Sequence, residues 1–139
     1  MTLPESYPFT IFENAWGERM FRPILPFQLY LDDKAISING LLDTGADVNI
    51  LPYNIGLQIG GKWSECPIVP SPAGNVSRYE TRGLAVNAVV GNFPPVRLAF
   101  AWMQSENVPL LLGQVNFFMQ FDVCFFRASN RFEIRLKDS

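Results

Sequence analysis

Histidine is absent from this chain of 139 residues, and its absence removes more function classes than any residue present. Serine–histidine and cysteine–histidine catalysis are excluded, and so is every metal site built on imidazole. Acid–base chemistry near neutral pH must then come from carboxylates, a shifted lysine or a tyrosine. Cysteine is scarce: Cys66 and Cys124 stand far apart without CxxC spacing, and are expected to be two reduced, structural thiols. No apolar run approaches the length of a membrane span. Met1 to Glu5 lack the basic start and continuous apolar stretch of a signal peptide, so a soluble, cytoplasmic protein is expected, with no membrane partner. Charge is sparse at 17%, the net charge is -2, and basic residues are scattered singly except near the C-terminus. That is no footprint for nucleic acid.

What is present points to a β-rich fold. Hydrophobic residues make up 48% of a length suited to one domain with a real core, and eleven prolines and ten glycines favour many short strands over long helices. Residues 1–20 mix Pro with Tyr7, Phe9, Phe12 and Trp16 without periodicity, and are expected as an extended N-terminal arm before a domain at 21–139. Phe27 to Leu31 alternates as a strand, Asp32-Asp33-Lys34 makes a hairpin turn, and Ala35 to Leu42 is a second strand. Asp43 to Asp47 forms a tight loop, and Val48 to Leu51 is again extended. Pro52 to Gly61 has room for one helical turn. Strands are expected at Lys62 to Pro70 and Ser77 to Val90, joined by the turn cluster Ser71-Pro72-Ala73-Gly74-Asn75, and again at Val96 to Met103. Leu110 to Leu112 is a short buried run ended by Gly113. A short helix is expected over Gln114 to Gln120, with Val115, Phe118 and Met119 on one side. Strands at Phe121 to Phe126 and Arg131 to Leu136 close the chain.

Leu42-Asp43-Thr44-Gly45-Ala46 is the stretch with chemistry in it. An acid on a tight turn is what water-mediated peptide hydrolysis needs: one carboxylate activates a water, and a second donates a hydrogen bond to the scissile carbonyl. Two such groups about 3 Å apart share a proton and titrate as a pair, an effect for which acid proteases are the standard illustration. The tripeptide alone is weak, since Asp-Thr-Gly also suits an ordinary turn. Its context strengthens it: an apolar strand before it, Ala46-Asp47 and an apolar run after it, a hairpin about thirty residues on, and Leu111-Leu112-Gly113 ahead of a helix.

In that order and spacing, residues 22 to 136 resemble the retroviral-type aspartic proteases (retropepsins) and their small single-domain bacterial relatives. The resemblance implies a closed, barrel-like acid-protease fold, mostly β, with one short C-terminal helix. It implies that Asp43 is the catalytic acid, that Thr44 braces the paired loops and that Gly45 touches substrate backbone. Ala46, Asp47 and Val48, with Ala73, Gly74 and Asn75 at the tip of a flap, would line the substrate cleft, and Leu112-Gly113 would lie beneath the loop. Two positions depart from the family. Gln114 stands where retroviral members usually carry an Arg that supports the second acid, and the flap is not rich in Ile and Gly. Arg22, before Pro23, is similar to an N-terminal Arg-Pro of viral members and would reach Asp47 of a partner copy.

One Asp-Thr-Gly is half of what the chemistry requires. Asp32 and Asp33 sit in a turn with Lys34, Asp122 lies inside Phe-Asp-Val, and Asp138 is in the tail. The second acid must come from a second copy across a two-fold axis. The expectation is a homodimeric aspartic endopeptidase acting on peptides or proteins, without metal or cofactor. A rival reading keeps the fold but not the activity, as a dimerisation or peptide-binding module. A barrel binding small ligands through its aromatics, or Ca²⁺ held by Asp43, Asp47 and Asp122, has less support.

Overall fold

In the computed structural model, which describes residues 3–72 and 79–138, the centre of the molecule is a closed barrel of six strands. Three strands precede it: β1 (Glu5–Pro8), β2 (Thr10–Glu13) and β3 (Arg19–Arg22). The barrel begins with β4 (Ile24–Tyr30) and β5 (Ala35–Leu42), antiparallel from Ile24 opposite Leu41 to Tyr30 opposite Ala35. Along β4 the side chains of Leu25, Phe27 and Leu29 are buried while Pro26 and Gln28 are exposed, the period-two pattern of a half-buried strand. After the Asp43 loop come β6 (Asn49–Pro52), α1 (Tyr53–Gln58), β7 (Thr81–Val89) and β8 (Val96–Met103). Then follow the two-residue β9 (Leu111–Leu112), α2 (Phe117–Gln120), β10 (Phe121–Phe126) and β11 (Arg131–Leu136).

Two parallel pairings set the topology. β9 runs parallel to β5, Leu41 opposite Leu111 and Leu42 opposite Leu112, and β6 runs parallel to β8. A single antiparallel bridge, Ile50 to Leu111, joins β9 to β6. β9 therefore lies between β5 and β6, and the chain that links those two strands must arch over it. That arch is the Asp43 loop. β7 pairs with β8 and closes the barrel on β4 through Gln28 to Tyr30.

The N-terminal segment is extended, but in strands with partners. β1 adds to β11 in a second sheet of order β1-β11-β10, with Glu5 opposite Ile134. The Glu5 carboxylate also accepts the Asn92 amide at 2.9 Å and the Tyr7 hydroxyl at 3.1 Å. β2 and β3 form a separate hairpin, and β3 runs through residue 20. Its turn is held by the Asn14 side chain, which accepts the amides of Trp16 and Glu18, each at 2.9 Å.

Two expectations need correcting. Lys62 to Pro70 is not a strand: it holds a 3-10 turn at Trp63–Glu65 and only an isolated bridge from Ile68 to Arg82. The Arg82 guanidinium takes the carbonyls of Cys66 and Trp63 at 2.9 and 3.3 Å, which satisfies them outside a ladder. The late helix is confined to Phe117–Gln120, and Phe117 is its buried residue. Val115 and Met119, expected among its apolar side, are 49% and 59% exposed.

Fully buried Leu25, Leu29, Leu98, Leu112, Phe117, Phe121, Phe132 and Ile134 fill the core. Trp102 is its largest member; its indole N–H donates to the Tyr53 carbonyl at 3.0 Å, and its ring meets Trp63 edge-on at 4.9 Å. Cys66 and Cys124 are both free, and burial raises the Cys66 thiol above its ordinary value. No helix among the described residues is long and apolar enough to cross a membrane. Replacing Trp102 with Ala is expected to cost about 3–5 kcal/mol of stability, read from urea unfolding, because the void cannot collapse against barrel strands.

Candidate active site

The loop carrying Asp43 is fixed at its base by main-chain hydrogen bonds. Asp43 N–H donates to the Leu112 carbonyl at 3.0 Å, so the acid is positioned by β9 directly. On the other leg, the amides of Gln114 and Val115 donate to the carbonyls of Ala46 and Asp47, both at 2.9 Å. These bonds demand a close crossing at Gly113. A Cβ there would lie 2.6 Å from the Val48 carbonyl oxygen and 2.7 Å from that of Ala46, so no other residue fits without moving backbone. Leu112 and Gly113 thus lie against the loop from beneath, where they were expected.

At the apex, Gly45 N–H donates to Asp43 Oδ1 at 2.9 Å, and Ala46 N–H to the Asp43 carbonyl at 3.1 Å. The carboxylate is half-buried, whereas Thr44, Gly45 and Asp47 are exposed. Asp43, Gly45, Ala46, Asp47 and Val48 border one cavity of about 710 Å³. The rest of its lining is Val69 to Pro72, Ile50, Gly83, Ala99 to Ala101, Leu111 and Val115. Asp43 and Asp47 are the charged side chains of a largely apolar lining. Thr44 is not part of that lining, and its hydroxyl makes no hydrogen bond among the described residues. Ala73, Gly74 and Asn75 lie outside the described residues. The two legs leading to them are joined: Gly83 N–H donates to the Pro67 carbonyl at 2.8 Å and Val69 N–H to that of Thr81 at 3.1 Å. Ser71 Oγ donates to the Tyr79 carbonyl at 2.6 Å.

Asp32, Asp33 and Asp122 stay away from this cavity, and Asp122 is exposed on β10. Among the described residues no three acidic or thiol side chains converge as a metal site requires. A second hollow of about 430 Å³, along β4 and β5, is lined by no titratable side chain. Of these two hollows, the first is the one lined by acids.

The solved structure of a retropepsin-like aspartic protease from Rickettsia conorii superposes with a TM-score of 0.62 over 95% of this chain and 92% of that one. The fold is retropepsin-like. Sequence identity over the match is 13%, so the likeness is one of architecture. No protein-family model matches the chain, and no curated protein sequence does.

The bonding of three polar residues of this retropepsin-like fold went unread in the sequence. Asn49 is fully buried inside an apolar run; its Oδ1 accepts the Gly113 amide at 2.7 Å, and its Nδ2 donates to the Ala99 carbonyl at 2.9 Å and Asn116 Oδ1 at 3.1 Å. Asn116 in turn ties Ala99 N–H and the Arg97 carbonyl, each at 3.0 Å. A polar residue amid Val48, Ile50 and Leu51 was itself the signal, since a buried amide persists only with partners. Gln114 is the third. It makes no side-chain bond to Asp47, in keeping with the missing Arg, and its Nε2 donates instead to the Thr44 carbonyl at 2.9 Å. Exchanging Asn49 for Leu keeps the branching of the side chain, leaves the Gly113 amide without its acceptor and takes a donor from the Ala99 carbonyl. The expected loss is about 2–4 kcal/mol in chemical denaturation, and a loss under about 0.5 kcal/mol, no more than a neutral surface change, would show that the amide network holds nothing.

Proposed function

We propose that this chain is an aspartic endopeptidase that works as a homodimer, its site formed by Asp43 from each of two copies. The observation that carries this reading is the placement of Asp43 on a loop secured at both legs, facing an apolar cavity with its apex exposed. One carboxylate cannot both activate water and donate to the carbonyl. A second copy supplies the other, and exposed Val115 and Met119, following Gly113, offer apolar surface close to the loop for it to cover.

In the working pair, the ionised carboxylate takes a proton from water as its oxygen attacks the peptide carbonyl. The protonated carboxyl donates a hydrogen bond to the carbonyl oxygen, and a proton then passes to the departing amine. The lining favours peptides with apolar side chains around the cut, and Asp47 stands at the rim to accept main-chain amides.

A retropepsin-fold module that binds peptides or pairs with itself without cutting is the second reading. It is favoured by Gln114, and by an Asp47 carboxylate with no cation partner among the described residues. A statine-type mimic of the tetrahedral intermediate separates the two, because only a competent site binds it better than the matching substrate peptide.

Asp43→Asn is expected to lower peptide cleavage by at least about 10²–10⁴-fold, the range for general acid–base groups, while circular dichroism and unfolding stay at parental values. Specific activity of the parent should rise with protein concentration until dimers saturate. A variant that cleaves like the parent would remove Asp43 from the mechanism.

A further inference from the structure

The legs of the acid loop are held by main chain, but its apex is held by one side chain from elsewhere. Gln114 Nε2 donates to the Thr44 carbonyl at 2.9 Å. The Gly45 N–H, at the opposite end of that same peptide group, donates to Asp43 Oδ1 at 2.9 Å. No other partner of the Thr44–Gly45 peptide is found among the described residues. The three groups form a line: side-chain amide, backbone peptide, carboxylate.

We propose that Gln114 is a positioning residue for Asp43, acting through the Thr44–Gly45 peptide; the proposal rests on Asp43 being the catalytic acid. The physical basis is twofold. A donor on the Thr44 carbonyl fixes the plane of a peptide that would otherwise be free to rotate at an exposed apex, keeping the Gly45 N–H aimed at Oδ1. It also polarises that peptide, and hydrogen bonds in series strengthen one another. A stronger donor to a carboxylate favours its ionised form, the form that must activate water. Because Gln does not titrate, the support is the same at every pH. The Gln114 amide N–H donates to the Ala46 carbonyl at 2.9 Å, so its main chain is anchored independently of its side chain and substitution leaves the base of the loop intact.

Two variants test this. Gln114→Met keeps length and removes the donor. Gln114→Glu places there a group that can donate only when protonated, below about pH 4.3. For Gln114→Met the expectation is a fall in kcat of about threefold to tenfold, the worth of one modest hydrogen bond. KM should stay within about twofold, and the acid limb of the pH–rate profile should move to higher pH. Gln114→Glu should approach the parental rate at low pH and fall away from it as its side chain ionises. In both variants the Gly45 amide proton should shift upfield in NMR spectra as its hydrogen bond weakens, for Gln114→Glu only above the ionisation. A Gln114→Met enzyme with the parental kcat and pH profile overturns the proposal. So does a loss of the same factor at all pH values that follows a loss of stability. If the parent itself cleaves no peptide, the protease reading fails, and the Gly45 resonance then decides alone: a shift upholds the relay, and an unchanged resonance ends it.

Discussion

The open end of this barrel depends on the crossing of Gly113 under the Asp43 loop. β9 is inserted between β5 and β6, so the segment joining those strands has to pass over it. At the crossing the carbonyls of Ala46 and Val48 come within 2.7 Å of where a Gly113 side chain would begin. That proximity lets the amides of Gln114 and Val115 reach the loop, and it makes Asn49 necessary, because the Gly113 amide is buried and has the Asn49 side chain as its acceptor. α2 begins at Phe117, after the amides of Gln114 and Val115 have bonded to the loop.

The chemistry follows from that crossing. A loop tied at both legs presents its acid at a fixed depth, and the apex remains bare, with Thr44 and Gly45 in solvent. Rigid support with an exposed apex suits the proposed pairing of Asp43 with its equivalent in a second copy. The cavity beside it is lined largely by apolar residues, among them Ile50, Ala99 to Ala101 and Leu111. Gln114 fits this plan: in place of a charged support it supplies an uncharged one, aimed at the peptide group that caps the carboxylate.

How much of this was legible in the sequence varied with the distance over which each element finds its partner. β5, β8, β10 and β11 could be bounded because alternation or turn residues mark them locally: Asp32 to Lys34 precedes one, and Ala128 to Asn130 separates two others, with Asn130 left-handed at φ 52°. β1 had no such signal. Its partner is β11 at the other end of the chain, and nothing in Glu5-Ser6-Tyr7-Pro8 announces that pairing. Lys62 to Pro70 resembled a strand by composition, yet Pro67 and Pro70 lack N–H groups and Arg82 takes two of its carbonyls. For the candidate site, Asp43 was marked by its Asp-Thr-Gly turn, and the place of Gly113 beneath the loop came from the family resemblance rather than from any local signal. Asn49, Asn116 and the role of Gln114 could not, since hydrogen bonds spanning from 17 to 70 residues leave no periodic trace.

The central claim is that one site is made from two Asp43 side chains, and mixing subunits tests it most directly. Parental chain is unfolded and refolded together with increasing proportions of Asp43→Asn at constant total concentration, and peptide cleavage is followed. If both copies contribute a carboxylate, only dimers of two parental chains work, and activity falls as the square of the parental fraction. A strictly linear fall would mean that each chain carries a complete site by itself, and would contradict the shared pair.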